Sequence, residues 1–358
     1  MSIEDKIKAL EEEIEKTKYN KATQHHIGKL KAKIAALKET QETRKRGSAK
    51  GLGFGIKKEG HATVVFVGLP SVGKSTLLNR LTNAESKVAA YEFTTLEVVP
   101  GMLHYGGVNI QLLDVPGLIV GAAGGKGRGR EVLSMVRNAD LALIVLDAKK
   151  LEVGEEIKNE LEDIGIRLDK KKPDVTIEKL PRGGINITWT TKHTKLDNRA
   201  VMEILGTKSI HNANVIIKGD LTDDQLIDAI MDNRVYIPSI VVVNKADLEM
   251  PAKIPKDYLP ISAEKDINLD KLRELIFTKL KFMRVYLRPQ GSKADLEDPL
   301  ILSEGSTIAD MCTKLHKDFI KKFRYAMVWG KSVKHEGQRC GINHALKDKD
   351  IVTIVKEL

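Results

Sequence analysis

Hydrophobic positions fall into distinct patterns along the chain. Near the start the period is helical: Ile3, Ile7, Leu10 and Ile14 are spaced four, three and four apart, and Ile27, Leu30, Ile34 and Leu37 three, four and three. Each set lines one face of a 3.6-residue helix. The polar stretch between them predicts a turn, so the segment reads as a helical hairpin with His25 and His26 near its turn. No Cys or carboxylate cluster accompanies this pair, which makes them surface residues rather than metal ligands.

Continuous apolar, β-branched runs follow: ATVVFVG (62–68), NIQLLDV (109–115), LALIVLD (141–147), SIVVVNK (239–245) and the shorter YLPIS (258–262). Such runs alternating with helical segments predict an α/β fold with a parallel-type sheet covered on both faces. Asp147 and Ser239 are separated by 91 residues, whereas one crossover needs on the order of 12–30. An inserted small α+β domain is therefore expected over 165–232, with strand-like VTIEKL and INITWTT and helix-like LTDDQLIDAIMD. From 283 a β, helix, β pattern predicts a further α+β module. The expected domains are 1–58 (helical hairpin and basic linker), 59–164 and 233–282 (two parts of one α/β domain), 165–232 (insertion) and 283–358.

Composition narrows this picture. The 358 residues carry a net charge of +10 and 42% hydrophobic residues, enough to build ordinary cores. Two cysteines, Cys312 and Cys340, exclude a disulfide scaffold and a zinc ribbon. No apolar run approaches a membrane span, and MSIEDK is not a signal peptide. A cytoplasmic protein without membrane contact is expected. The charge is uneven. Residues 16–58 hold 13 basic and 2 acidic side chains, 283–358 hold 14 and 10, and 59–282 hold 30 and 31. Basic ends around a neutral centre predict a polyanion partner. The chain has 16 aromatic residues and no dense aromatic run. That favours a shape- and phosphate-directed contact with folded RNA over base-specific reading of single strands, and no DNA contact is expected.

The chemistry lies at strand ends. Gly68-Leu69-Pro70-Ser71-Val72-Gly73-Lys74-Ser75-Thr76 matches G-x-x-x-x-G-K-S between a strand and a helix. Its glycines let successive N–H groups face phosphate oxygens, and the helix presents its positive N-terminus to the same anion. Lys74 is expected on the β- and γ-phosphates and the Ser75 hydroxyl on Mg²⁺. Asp114-Val115-Pro116-Gly117 ends the next strand. Its aspartate suits a Mg²⁺ shell water and its Gly117 N–H the γ-phosphate. Asn244-Lys245-Ala246-Asp247 supplies a carboxylate, Asp247, that can accept from both guanine N1–H and the N2 amine, a pair adenine does not offer. The Lys245 stem would cover the base, and Asn244 would tie this loop to the phosphate loop. At Ser262-Ala263 the Ala263 N–H would meet guanine O6. Four motifs in order predict a GTP/GDP site.

The strings GLPSVGKSTLLNRLT (68–82), YEFTTLEVVPG (91–101), DVPGLIVGAAGGKGRGREVLS (114–134) and NKAD (244–247) resemble the developmentally regulated GTP-binding proteins of the Obg-related GTPases. The resemblance runs nearly end to end. It implies a P-loop GTPase domain with an insertion, an N-terminal helical hairpin and a C-terminal β-grasp (TGS) domain. It also implies a link to ribosomes and translation, which makes ribosomal RNA the expected polyanion, and in eukaryotes a regulatory protein partner; slow GTP hydrolysis is expected from the residue after Gly117. By resemblance, Thr95 of the Thr94-Thr95 pair is the switch I threonine that joins Ser75 on Mg²⁺, with Thr94 as the alternative. Lys74, Thr95 and Gly117 would then form the catalytic set. Leu118 stands where Ras-like enzymes place a water-orienting glutamine, so the stimulating group would be a cation, a backbone rearrangement or a partner. Ser71 stands where potassium-activated relatives carry an asparagine. Its shorter oxygen is a poorer K⁺ ligand, which weakens the expectation of K⁺ dependence. Lys126, Arg128 and Arg130, on the glycine-rich run 121–130, would give a nucleotide-sensitive contact to RNA or a partner. The alternative function is an RNA- or ribosome-binding module in which the nucleotide is mainly structural.

Overall fold

The computed structural model describes residues 2–18, 20, 23–47, 58–82, 89–90, 97–114, 135–249, 253–289, 291–292, 294 and 296–356. The roles expected of Thr94, Thr95, Val115, Pro116, Gly117 and Leu118, and of the basic run 121–130, lie outside the described residues. The chain divides into two compact units: Phe54–Ile164 with Ile237–Leu358, and Met1–Gly53 with Gly165–Tyr236.

The first unit is built on a seven-stranded sheet. Its order is Tyr258–Pro260, Ser239–Asn244, Leu141–Asp147, Ala62–Val67, Val108–Asp114, Glu97–Tyr105 and Ala89–Ala90. The first five are mutually parallel; at one edge Glu97–Tyr105 runs antiparallel to Val108–Asp114, and Ala89–Ala90 antiparallel to Glu97–Tyr105. Every residue of Ala62–Val67 and Ser239–Asn244 is buried, as befits central strands covered on both faces. Phe66, Leu77, Leu78, Leu112 and Leu143 are fully buried in this core. Truncating Phe66 to alanine is expected to cost about 3–5 kcal/mol by leaving a cavity in a close-packed layer, read as a lowered urea-unfolding midpoint.

The sequence reading missed the strand Glu97–Tyr105, because Pro100 and Gly101 interrupt its apolar pattern. The structure supplies the reason both are tolerated. Beyond Val98 no described strand pairs with its outer side, and proline is accepted at such an edge. A Cβ at Gly101 would lie 2.5 Å from Thr82 Cγ2, so glycine lets the helix Lys74–Thr82 pack closely on the strand. Gly106 and Gly107, at φ +59° and +80°, then form the two-residue turn into Val108–Asp114.

Residues 282–356 form a five-stranded sheet in the order Leu300–Ser303, Phe282–Leu287, Asp350–Lys356, Phe323–Trp329 and Gln338–Cys340. The helix Ile308–Leu315 covers one face, which is the β-grasp arrangement that the resemblance implies. Thr307 and Asp310 cap this helix reciprocally: Asp310 N–H donates to Thr307 Oγ1 and Thr307 N–H to the Asp310 carboxylate. Cys312 and Cys340 are free thiols buried in the core between helix and sheet. Ile301 instead joins the core of the seven-stranded sheet.

In the second unit, the helices Ile3–Lys16 and Gln24–Gly47 form the hairpin. Asn20 and Thr23 close the turn through reciprocal backbone-to-side-chain bonds of 2.9 and 3.0 Å. His25, His26 and Gly28 therefore lie within the second helix, and His26 Nε2 is 3.0 Å from Glu13 Oε1 on the first. Residues 174–218 add a three-stranded sheet, Asp174–Lys179, Ala213–Lys218 and Ile185–Trp189, and the helices Asn198–Gly206 and Asp223–Ile230 pack with it. Ala32 and Ala35 of the hairpin share that core with Ile204, Leu205 and Leu226. A Cβ at Gly28 would touch Ile204 Cδ1 at 3.4 Å. Lys31 lies 3.4 and 3.0 Å from Asp223 and Asp224, Lys29 is 3.7 Å from Glu203, and Lys208 pairs with Glu39. Part of the hairpin's positive charge is thus neutralised inside its own unit.

Candidate functional site

Parallel strands deliver their C-terminal ends to one edge of a sheet, where α/β folds bind ligands. The described motif residues converge on that edge. After Val67 the chain turns sharply through Gly68 (φ +159°), Ser71 (φ +63°) and Gly73 (φ +91°). A Cβ at Gly68 would lie 2.3 Å from the Val145 carbonyl oxygen of the neighbouring strand. Leu69 is half-buried against the core, Pro70 is exposed and Val72 is buried beneath the loop. Thr76 sits exposed in the first turn of the helix that starts at Lys74.

The Lys74 ammonium curls back over this loop and donates to the carbonyls of Gly68 (3.0 Å) and Leu69 (2.8 Å). Burial pushes its pKa down, against the pull of the Asp114 charge. The Ser75 hydroxyl donates to Asp114 Oδ2. Asp114 is 4% exposed, and its Oδ1 is buried without a hydrogen-bond partner among the described residues. A buried, unsatisfied carboxylate oxygen is costly. A hydroxyl and a carboxylate side by side, with one free oxygen, make a hard oxygen donor set that fits Mg²⁺ or its shell water.

On the base side, Asn244 is 3% exposed and spends its amide on two loops. Nδ2 donates to the Val72 carbonyl at 2.9 Å, and Oδ1 accepts from Ala263 N–H at 3.0 Å. The expected tie to the phosphate loop is present. The Ala263 N–H, expected to face guanine O6, is engaged by Asn244 instead, because a buried amide must satisfy both of its ends. Ser262 is buried, and its Oγ accepts from Lys265 N–H at 3.1 Å. Ala246 N–H donates to the Ile261 carbonyl at 3.0 Å, joining the two base-side loops. Asp247 is half-exposed and forms no hydrogen bond or ion pair with a described residue.

One participant escaped the sequence reading. Lys245 (φ +65°) donates to the Ser71 carbonyl at 2.9 Å and to Asp147 Oδ2 at 2.7 Å. Asp147 ends the strand Leu141–Asp147, between the phosphate-loop and base-loop strands. A polar residue at the C-terminal end of a central parallel strand was the signal that could have found it. Burial pushes the Asp147 carboxyl up, but hydrogen bonds from Lys245 and from Lys149 N–H outweigh it and hold the pKa below its usual value. The clamp is therefore complete at neutral pH and is lost only as pH falls below the usual carboxylate range. Replacing Asp147 by asparagine is expected to weaken GDP binding about 3–10-fold, because Lys245 loses the charge that aligns its stem. Equilibrium titration with a fluorescent GDP measures the effect, and unchanged affinity would refute it.

Comparison with known proteins places this geometry in a family. Residues 63–179 match the family model described as 50S ribosome-binding GTPase, 182–282 the C-terminal region of that domain, and 283–356 the TGS domain. The chain is 54% identical to an uncharacterized GTP-binding protein of Methanocaldococcus jannaschii, over 99% of this chain and 93% of that one. It is 48% identical to developmentally-regulated GTP-binding protein 1 of Xenopus laevis, over 98% of each. It is 44% identical to ribosome-interacting GTPase 1 of Saccharomyces cerevisiae, over 99% of each. Likeness at this level along the whole chain, and not over the phosphate loop alone, means that the chain belongs to the family of developmentally regulated GTP-binding proteins.

Proposed function

We propose that the chain hydrolyses GTP to GDP and phosphate slowly and works as a nucleotide-dependent switch on the ribosome, in the cytoplasm. The observation that carries this reading is the Lys74, Ser75 and Asp114 group, with one buried carboxylate oxygen left for a ligand shell. Lys74 leaves the Gly68 and Leu69 carbonyls to meet the β- and γ-phosphates, which restore the ammonium's favoured charge in a desolvated site. Ser75 and Thr95 would hold Mg²⁺, with Asp114 on a shell water. Mg²⁺ supplies neutralisation of the charge on the phosphate oxygens. The Gly117 N–H senses the γ-phosphate, so γ-phosphate loss releases that segment together with the one carrying Thr95. Asp247 selects guanine.

Leu118 cannot orient a water by hydrogen bonding, which makes unaided hydrolysis slow. The group that speeds it comes from elsewhere, and a regulatory protein partner is one source. Ser71 argues against strong K⁺ activation, and rates compared in potassium and sodium buffers test that directly. The name of the yeast relative and the 50S ribosome-binding description of the matching model support ribosomal RNA as the polyanion. Basic residues of the hairpin other than Lys29, Lys31 and Lys38, and those of residues 283–356 other than Arg284, are the contact groups we assign to it.

Cosedimentation with ribosomes tests the switch. Binding is expected to differ between GDP, a non-hydrolysable GTP analogue and no nucleotide, and to fall steeply with salt. Equal binding in all three states would make the nucleotide a structural cofactor. Unaided turnover near the about 5–20 s⁻¹ of partner-stimulated GTPases would refute the slow reading.

A further inference from the structure

The aromatic residues of the C-terminal module are scattered in sequence, but its sheet collects three of them on one face. Tyr325, Met327 and Trp329 alternate with buried Ala326 and Val328. Their register partners Val355, Thr353 and Ile351 point to the same side, and Tyr286 pairs with Ile351 one strand further on. The opposite face is closed by the helix Ile308–Leu315 and its core. Tyr286, Tyr325 and Trp329 are half-buried.

Arginines sit over two of these rings. The Arg288 guanidinium is 4.7 Å from the Trp329 ring centre, that of Arg339 is 4.7 Å from Tyr325, and that of Arg324 is 6.0 Å from Tyr325. None of the three forms an ion pair with a described residue. Arg284, two positions before Tyr286, is by contrast spent on Asp348 through bonds of 3.0 and 2.7 Å. The Trp329 ring is backed by Gly337, where a Cβ would come within 3.1 Å of the indole, and Arg288 Nε is anchored on the Ser292 carbonyl at 2.9 Å. These contacts hold the stack, and its guanidinium has no acidic partner among the described residues.

We infer that the Phe323–Trp329 side of this face, away from the edge that Ile301 packs into the seven-stranded-sheet core, binds single-stranded RNA, with unpaired bases stacking on the Arg288–Trp329 and Arg339–Tyr325 pairs and phosphates meeting the guanidinium edges. A guanidinium set over a ring leaves its outer side for a base and N–H groups for phosphate oxygens. Positive charge without an acidic partner among the described residues complements a polyanion. An acidic protein segment would be served as well by lysine, which has no plane to stack. The inference rests on the reading of the chain as RNA-directed, and it replaces the expectation of a purely shape- and phosphate-directed contact for this module.

The full chain, loaded with GDP, is titrated with a fluorescent 12-nucleotide oligouridine and with a 12-base-pair RNA duplex. The double variant Arg288→Lys/Arg339→Lys keeps the charge and removes the planes. It is expected to bind the single strand about tenfold more weakly, or worse, and the duplex unchanged, given the usual worth of base stacking. Tyr325→Leu, which keeps an apolar side chain under Arg339, is expected to show the same selective loss. Unchanged melting and GDP binding establish that the variants are folded, and if one variant melts early the other is read. Single-strand binding equal to that of the parent chain in the folded variants would overturn the inference while leaving an RNA contact elsewhere intact. Competition by polyglutamate as effective as by oligouridine would also overturn it, in favour of an acidic protein. If the parent chain binds neither RNA, the RNA partner assigned under the proposed function fails as well.

Discussion

Gly73→Ala is expected to abolish high-affinity nucleotide binding and to destabilise the nucleotide-binding unit. Two independent effects act at this position. The backbone sits at φ +91°, which side-chain-bearing residues adopt only with strain of order 1–3 kcal/mol. A Cβ there would also lie 2.4 Å from Asn244 Nδ2. Asn244 cannot step aside cheaply. It is buried, and its amide holds both the Val72 carbonyl and the Ala263 N–H. Displacing it leaves buried polar groups unpaired, at about 1–3 kcal/mol each. Phosphate loop and base loops lose their common tie in one step. Since each 1.4 kcal/mol is a factor of ten, GDP affinity should fall by about 10²-fold or more. Fluorescent-GDP titration and a melting curve of the same sample check it. Near-normal binding would mean that Asn244 does not couple the two loops.

Asp247→Asn is expected to change which base is bound while leaving the fold untouched. The Asp247 carboxylate makes no hydrogen bond or ion pair with a described residue, so the variant should melt like the parent chain. Guanine N1–H and N2–H lose a bidentate, charge-assisted acceptor and face an amide N–H in its place. Two such bonds at about 1.5–3 kcal/mol each predict at least a 10²-fold loss of GTP and GDP affinity. Xanthine has a carbonyl at that edge, which the new amide can address, so xanthosine nucleotides should gain. Competition among guanosine, xanthosine and adenosine nucleotides measures both directions. Unchanged guanine preference would remove Asp247 from the base-reading role.

How much of this could be read before the structure depended on how local the signal was. Residues 68–76 and 244–247 are contiguous strings whose neighbours carry a strand or helix pattern of their own, so their place at strand ends followed from the chain. The strand Glu97–Tyr105 was illegible because Pro100 and Gly101 break its period, and both are tolerated only through an open edge and a helix packed against it. Asp147 was illegible as a site residue because its meaning comes from Lys245, 98 positions away.

By itself, then, the sequence determined the guanine-nucleotide chemistry, the parallel strands that deliver it and the interruption by an insertion. Each is written in a short run whose physics is period, turn geometry or donor pattern. Only the tertiary structure decided that the hairpin helix Gln24–Gly47 shares a core with the insertion and neutralises some of its charge on Asp223, Asp224 and Glu203. It also decided that three dispersed aromatics stand on one face, two of them under arginines that form no ion pair with a described residue, and that Ala263 is held by Asn244. These facts join residues tens to hundreds of positions apart. Strand register and burial bring such residues together, and neither is set by any local run of side chains.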